Sequence, residues 1–118
     1  MGRSTMTDDL RYSDEIKTKD WSERASLLLC PRCGADLLHH SKVAIFDRGE
    51  DASNCVKTEV FGGKVSVDPA ASGAGNPSSR RDGIAIDFWC EGCGEDPLQL
   101  TIAQHKGSTE IGWRYKPQ

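Results

Sequence analysis

Four of the five cysteines fall in two Cys-x-x-Cys pairs, Cys30-Pro31-Arg32-Cys33-Gly34 and Cys90-Glu91-Gly92-Cys93-Gly94. Two thiolates separated by two residues reach one ion when the chain turns tightly between them. Two such pairs supply the four sulfur ligands of a tetrahedral zinc. A glycine follows each pair directly, and Gly92 lies inside the second; glycine tolerates the positive φ that such a turn demands. Backbone N–H groups in the turn also point at the thiolates and lower their basicity. Cys30, Cys33, Cys90 and Cys93 are therefore expected to hold one structural zinc ion.

Other uses of paired cysteines fit less well. A thioredoxin-like pair opens a helix in a βαβ context, whereas both pairs here follow apolar, strand-like runs. A disulfide framework needs an oxidising compartment. An iron–sulfur cluster also takes four cysteines, but the knuckle pattern favours zinc.

At these residues the chain resembles the zinc-ribbon superfamily, of the bacterial Cys-Pro-x-Cys-Gly type. The segments Arg80-Arg81-Asp82-Gly83, Phe88-Trp89-Cys90-Glu91-Gly92-Cys93 and Gln104-His105-Lys106-Gly107 are similar to those of small bacterial and phage zinc-ribbon proteins. The resemblance covers about residues 27–115. It implies a small ribbon fold and leans towards nucleic-acid binding. Residues 34–89 form a larger insert between knuckles than a minimal ribbon carries. Loop-closure entropy grows only logarithmically with length, so the insert does not forbid a shared ion.

The elements that must position the knuckles read as β. Leu27-Leu28-Leu29 leads into Cys30. Residues 37–46 alternate, with Val43 and Ile45 on one face and Ala44 and Phe46 on the other. Residues 54–61 alternate through Val56, Thr58 and Val60, Gly62-Gly63 signals a hairpin, and residues 64–67 return. Residues 68–83 read as a long loop. Ile84, Ile86 and Phe88 alternate directly into Cys90. Leu98, Leu100 and Ile102 alternate in the next strand, and Ile111, Trp113 and Tyr115 in the last, with a turn at Gly107-Ser108. The expected fold is all-β: antiparallel strands in one or two small sheets, with zinc clamping two knuckles at one edge. Residues 26–116 form this zinc-ribbon domain. Residues 1–25 read as a tail, flexible or loosely docked; a short helix around Asp14–Arg24 could dock through Ile16 and Trp21, but two apolar anchors are few.

Composition narrows the function. The chain has 118 residues, enough for one domain. Hydrophobic residues make up 36%, a thin supply for a core, which itself argues for a metal staple. The formal net charge of −3 speaks against a general duplex binder, which carries a basic excess. No apolar run approaches the ~18 residues of a membrane span. The polar N-terminus has no signal-peptide core, so a cytoplasmic protein is expected.

Four further groups could carry function. Arg80 and Arg81 lie in a loop and could take phosphate or carboxylate oxygens; a solvated loop with Asp82 pairing one arginine is the plainer expectation. Lys106 and Trp113 complete the candidate binding set, because an aromatic beside arginine stacks a nucleobase, although Trp113 and its neighbours Trp89 and Tyr115 also suit the core. His39 and His40 read as surface or supporting residues, and His105 as a solvated hairpin residue. Cys55 reads as a small, partly buried apolar residue. No nucleophile–base–orienter set and no phosphate-cradling loop is present, and a four-cysteine site leaves no open coordination position, so no enzymatic activity is expected. Two functions remain. One is a zinc-stabilised adaptor that binds a protein partner through a sheet face or loop. The other is a single-stranded nucleic-acid binder using Arg80, Arg81 and nearby aromatics.

Overall fold

Alternating aliphatic residues on six long segments force this chain into strands, and all of them join one sheet. A computed structural model describes residues 10–117. The strands are β1 (Arg11–Ser13), β2 (Thr18–Asp20), β3 (Ser26–Leu28), β4 (Leu38–Asp47), β5 (Cys55–Phe61), β6 (Lys64–Ala71), β7 (Gly83–Cys90), β8 (Leu98–His105) and β9 (Ser108–Tyr115). Seven form an antiparallel sheet in the order β1-β9-β8-β7-β4-β5-β6, and β2 pairs with β3 in a separate two-stranded sheet. The fold is all-β.

Pleating sorts the side chains of the large sheet onto two faces. On the first face, Leu98, Leu100 and Trp113 form a buried cluster packed by Tyr12, Ile16, Leu28, Leu38 and Phe88. The rings of Phe88 and Trp113 meet edge to face at 5.6 Å, and those of Tyr12 and Tyr115 at 5.4 Å. The chain from β1 to β3 thus covers this face at the cysteine end. On the second face, Ala44, Phe46, Cys55 and Ala71 form a smaller cluster.

The segment Asp14–Arg24, which could have formed a docked helix, contains β2. Only Ile16 of its two apolar anchors packs on the core, and Trp21 is exposed. One anchor cannot hold a helix against the sheet, whereas β3 offers a ladder from Thr18↔Leu28 to Asp20↔Ser26. Residues 1–9 of the expected tail lie outside the described residues.

The hairpin glycines Gly62 and Gly63 both take positive φ, 62° and 78°, as a two-residue turn of the favoured twist requires. The return strand β6 runs to Ala71, past the expected end at residue 67. Pro69 lies within it, which is tolerated because β6 is an edge strand and a proline there forfeits no ladder bond. The loop that follows, residues 72–82, folds over the second face instead of extending into solvent. Asn76, Pro77 and Ser78 are buried. Ser78 Oγ donates to the Gln104 carbonyl (2.9 Å), and Asn76 Nδ2 donates to the Arg81 carbonyl (2.9 Å). Gly83 makes the close approach possible: a Cβ there would lie 2.1 Å from Asn76 Oδ1 and 2.9 Å from the Pro77 ring.

Candidate metal centre

The two cysteine pairs, distant in sequence, are brought together by one strand pairing. β4 and β7 are neighbours near the middle of the sheet, and Leu38 lies opposite Cys90. The first pair sits just before β4 and the second at the end of β7. The knot therefore caps the ends of two inner strands, where an edge position was expected. The reason is the pairing of β4 with β7, which places the long hairpin β5–β6 to one side.

Each pair turns in the same way. Gly34 N–H donates to the Cys30 carbonyl (2.8 Å), and Gly94 N–H to the Cys90 carbonyl (3.2 Å). Both glycines have positive φ, 79° and 64°. Cys30 N–H donates to the Ala35 carbonyl (2.8 Å), and Glu91 N–H to the Leu37 carbonyl (3.1 Å), which ties the two turns to each other through the start of β4.

The thiols converge as a result. Cys30 Sγ lies 4.0 Å from Cys93 Sγ, and Cys33 Sγ lies 3.7 Å from Cys90 Sγ. All four sulfurs lie within 4.8 Å of one another. A tetrahedral ion with metal–sulfur bonds of ~2.3 Å separates its sulfurs by about 3.8 Å, so the cluster fits one ion of that size. A disulfide needs ~2.05 Å, and all five cysteines are free thiols. The four cysteines are positioned to hold one metal ion.

Local electrostatics favour a cation. Burial pushes the Cys90 thiol up, but the backbone N–H groups of Cys93 and Gly92 and the thiols of Cys33 and Cys30 outweigh it and bring it down to about 7. The Gly92 N–H contact to Cys90 Sγ is 3.2 Å. At Cys33 the Ala35 backbone favours the thiolate, yet burial and the neighbouring thiols Cys90 and Cys30 prevail and raise it to about 11. Without a cation, accumulating negative charge holds back the last proton. A bound divalent ion relieves that repulsion.

The other candidate residues disperse. Arg80 is held by Asp51 through two bonds, Nε to Oδ1 at 2.7 Å and Nη2 to Oδ2 at 2.8 Å, and by Glu50 at 3.0 Å. Arg81 pairs with Glu50 at 2.8 Å. Both arginines are thus paired within the chain, and Asp82 accepts the Arg48 N–H (2.8 Å). Lys106 lies in the β8–β9 turn with φ 55°. Trp113 is 1% exposed and presents no stacking surface. The exposed ring pair lies elsewhere: His39 stacks on Trp89 at 4.2 Å with planes 10° apart, and its Nε2 contacts Glu91 Oε2. His40 lies edge-on to Phe88, His105 is exposed, and Cys55 is buried beside Phe46.

Two features escape the sequence. On the first face, away from the covering segment, Ile45, Val56, Val60, Val65, Val67 and Ile111 stay exposed. They surround the half-buried Val43, Ile84, Ile86 and Ile102. Alternation marked these residues as one face of each strand, but not whether anything covers that face. On the second face, Asp87, Gln99 and Arg114 are buried together. Each sat at a polar position of an alternating strand, which normally means solvent.

The fold and site define an all-β protein with a four-cysteine knot positioned to hold one metal ion. Comparison with the known protein families, with curated proteins and with solved structures finds no match. No helix among the described residues is long and apolar enough to cross a membrane.

Proposed function

We propose that this chain is a zinc-stabilised binding module of zinc-ribbon type, acting as a protein-interaction adaptor and not as an enzyme. Zinc is the ion that best suits four thiolates at tetrahedral spacing, and a closed four-sulfur site acts structurally. The observation that carries the adaptor reading is the uncovered aliphatic face of β4–β7. Val60 is 43% exposed, Val65 67% and Val67 57%. A contiguous apolar patch on a small protein marks an interaction surface.

The chemistry of the face selects the occupant. Among the described residues, the positions of β5 and β6 that share it are Val56, Thr58, Val60, Val65, Val67 and Pro69, none of them charged. A partner must match it with an uncharged apolar surface. A second copy of the same face meets that requirement and buries both by stacking sheet on sheet. β4 adds one charged residue to the same face, the exposed Asp47, which lies opposite Val56 at the end of the strand.

The alternative, single-stranded nucleic-acid binding, is supported by the exposed Trp89–His39 stack beside the second knuckle, because exposed rings stack bases. The intramolecular pairing of Arg80 and Arg81 weighs against it. Sedimentation equilibrium of the zinc-loaded protein, from micromolar to millimolar, tests whether the aliphatic face is a protein interface taken by a second copy. A dimer that is lost in Val60→Lys/Val65→Lys supports it. A monomer throughout that binds single-stranded oligonucleotides in a fluorescence-anisotropy titration replaces it with the alternative.

A further inference from the structure

The second face of the sheet carries a cleft of about 310 Å³, between the long loop and the C-terminal end of β9. Its apolar lining is small, Ala44, Ala85 and Phe46, with the Lys57 ammonium 5.3 Å from the Phe46 ring centroid. Its charges are unusual for this chain. Four cations line it, Lys42, Lys57, Arg114 and Lys116, against two carboxylates, Glu59 and Asp87. An acidic protein thus encloses a locally cationic cleft.

The pairing inside the cleft shows where charge is left over. Glu59 Oε2 is shared by Lys42 (3.0 Å) and Lys57 (3.4 Å). Asp87 takes Lys116 at 3.0 Å on one oxygen and the Gln99 amide at 2.8 Å on the other. Among the described residues, Arg114, 3% exposed, donates to neutral acceptors: Nε to Gln99 Oε1 (2.9 Å) and Nη2 to the Gly75 carbonyl (2.6 Å). A buried guanidinium normally meets a carboxylate directly, because desolvating it is costly. Asp87 acts on Arg114 only through space. Glu59 cannot neutralise two ammonium groups.

We propose that this cleft is a binding site for the oxyanion of a small molecule, a carboxylate or a phosphate, held by Lys42, Lys57 and Arg114. The volume suits a small ligand. The lysines retain N–H donors beyond those used on Glu59, and the apolar lining receives the body of the ligand. The site is separate from the cysteine knot and from the aliphatic face, which lies on the opposite side of the sheet.

The test is an NMR amide-shift titration of the zinc-loaded protein, at constant ionic strength, with inorganic phosphate in one series and propionate in another. Saturable shifts at Gly75, Ala85 and Gln99 are expected. Saturation by phosphate alone assigns a phosphate-bearing ligand, and by propionate alone a carboxylate-bearing one. Lys42→Gln/Lys57→Gln alters partly exposed side chains and leaves the fold intact by circular dichroism. It is expected to weaken binding about tenfold or more, since it removes two ammonium donors of charge-assisted hydrogen bonds to the anion. No saturable shift with either anion, or equal saturation in the double variant, overturns the proposal.

Discussion

Cys55 and Cys33 are the same residue type in different surroundings, and substitution separates them. Cys33→Ser removes one of four converging sulfurs and is expected to abolish stoichiometric metal, read by elemental analysis of the purified protein. Cys55 is 4% exposed and packs with Ala44, Phe46 and Ala71. Cys55→Ser is expected to keep the metal but lose about 1–3 kcal/mol of stability in urea denaturation, because its hydroxyl enters an apolar cluster. Asp51 offers a pH readout. The Arg80 guanidinium bonded to it lowers its carboxyl below the usual range, with burial opposing and the charges of Arg80, Arg81 and Arg48 assisting. A folded-state value below the unfolded one means stability present above the ordinary carboxylate pKa and lost as pH falls through the folded value. In Arg80→Ala the Asp51 titration, followed by carboxyl-carbon NMR, is expected to move back up towards the ordinary value. An exposed pair contributes little to overall stability, so the variant stays folded and the titration is measurable.

Two elements depend on how tightly one segment meets another. The loop over residues 72–82 closes on β7 only because Gly83 has no side chain. Gly83→Ala forces Asn76 and Pro77 away and breaks the bonds that Asn76 and Ser78 make to Arg81 and Gln104. A loss of ~1–3 kcal/mol is expected from such overpacking, read by chemical denaturation. The β8–β9 hairpin depends on Trp113, whose indole Nε1 has no hydrogen-bond partner among the described residues. Trp113→Phe removes a buried donor that already lacks a partner, which offsets part of the lost packing. It is expected to cost far less than Trp113→Ala, for which truncation of a buried ring costs ~3–5 kcal/mol. A comparable loss in both variants would show that the indole N–H is satisfied in solution.

At the scale of the molecule, the knot and the sheet share two strands, so an ion held in the knot would be coupled to the fold. A structural zinc contributes on the order of 10 kcal/mol, comparable with the ~5–15 kcal/mol net stability of a domain. Chelation is therefore expected to melt or loosen the protein, followed by far-UV circular dichroism as chelator is added. Unchanged spectra after complete metal removal would show that the seven-stranded sheet stands alone. The aliphatic face and the cationic cleft occupy opposite sides of that sheet. An interface and a ligand site on the two faces can therefore operate without excluding each other.

Much of this architecture was legible in local signals. Two Cys-x-x-Cys-Gly runs specify the knuckles, because ligand type, spacing and the glycine turn are all local. Six alternating segments and the Gly62-Gly63 pair specify strands and a hairpin, because a period of two is a property of the chain itself. What sequence could not decide is which strand lies beside which, and what covers each face. The pairing of β4 with β7 moved the knot to the inner strands. The fold-back of residues 72–82 and the burial of Arg114 converted apparent solvent positions into a charged cleft. The Asp51–Arg80 bond engaged the loop arginine within the chain, and Trp113 went into the core. Each of these outcomes is a contact between residues far apart in the chain, and only the tertiary structure brings such residues within reach.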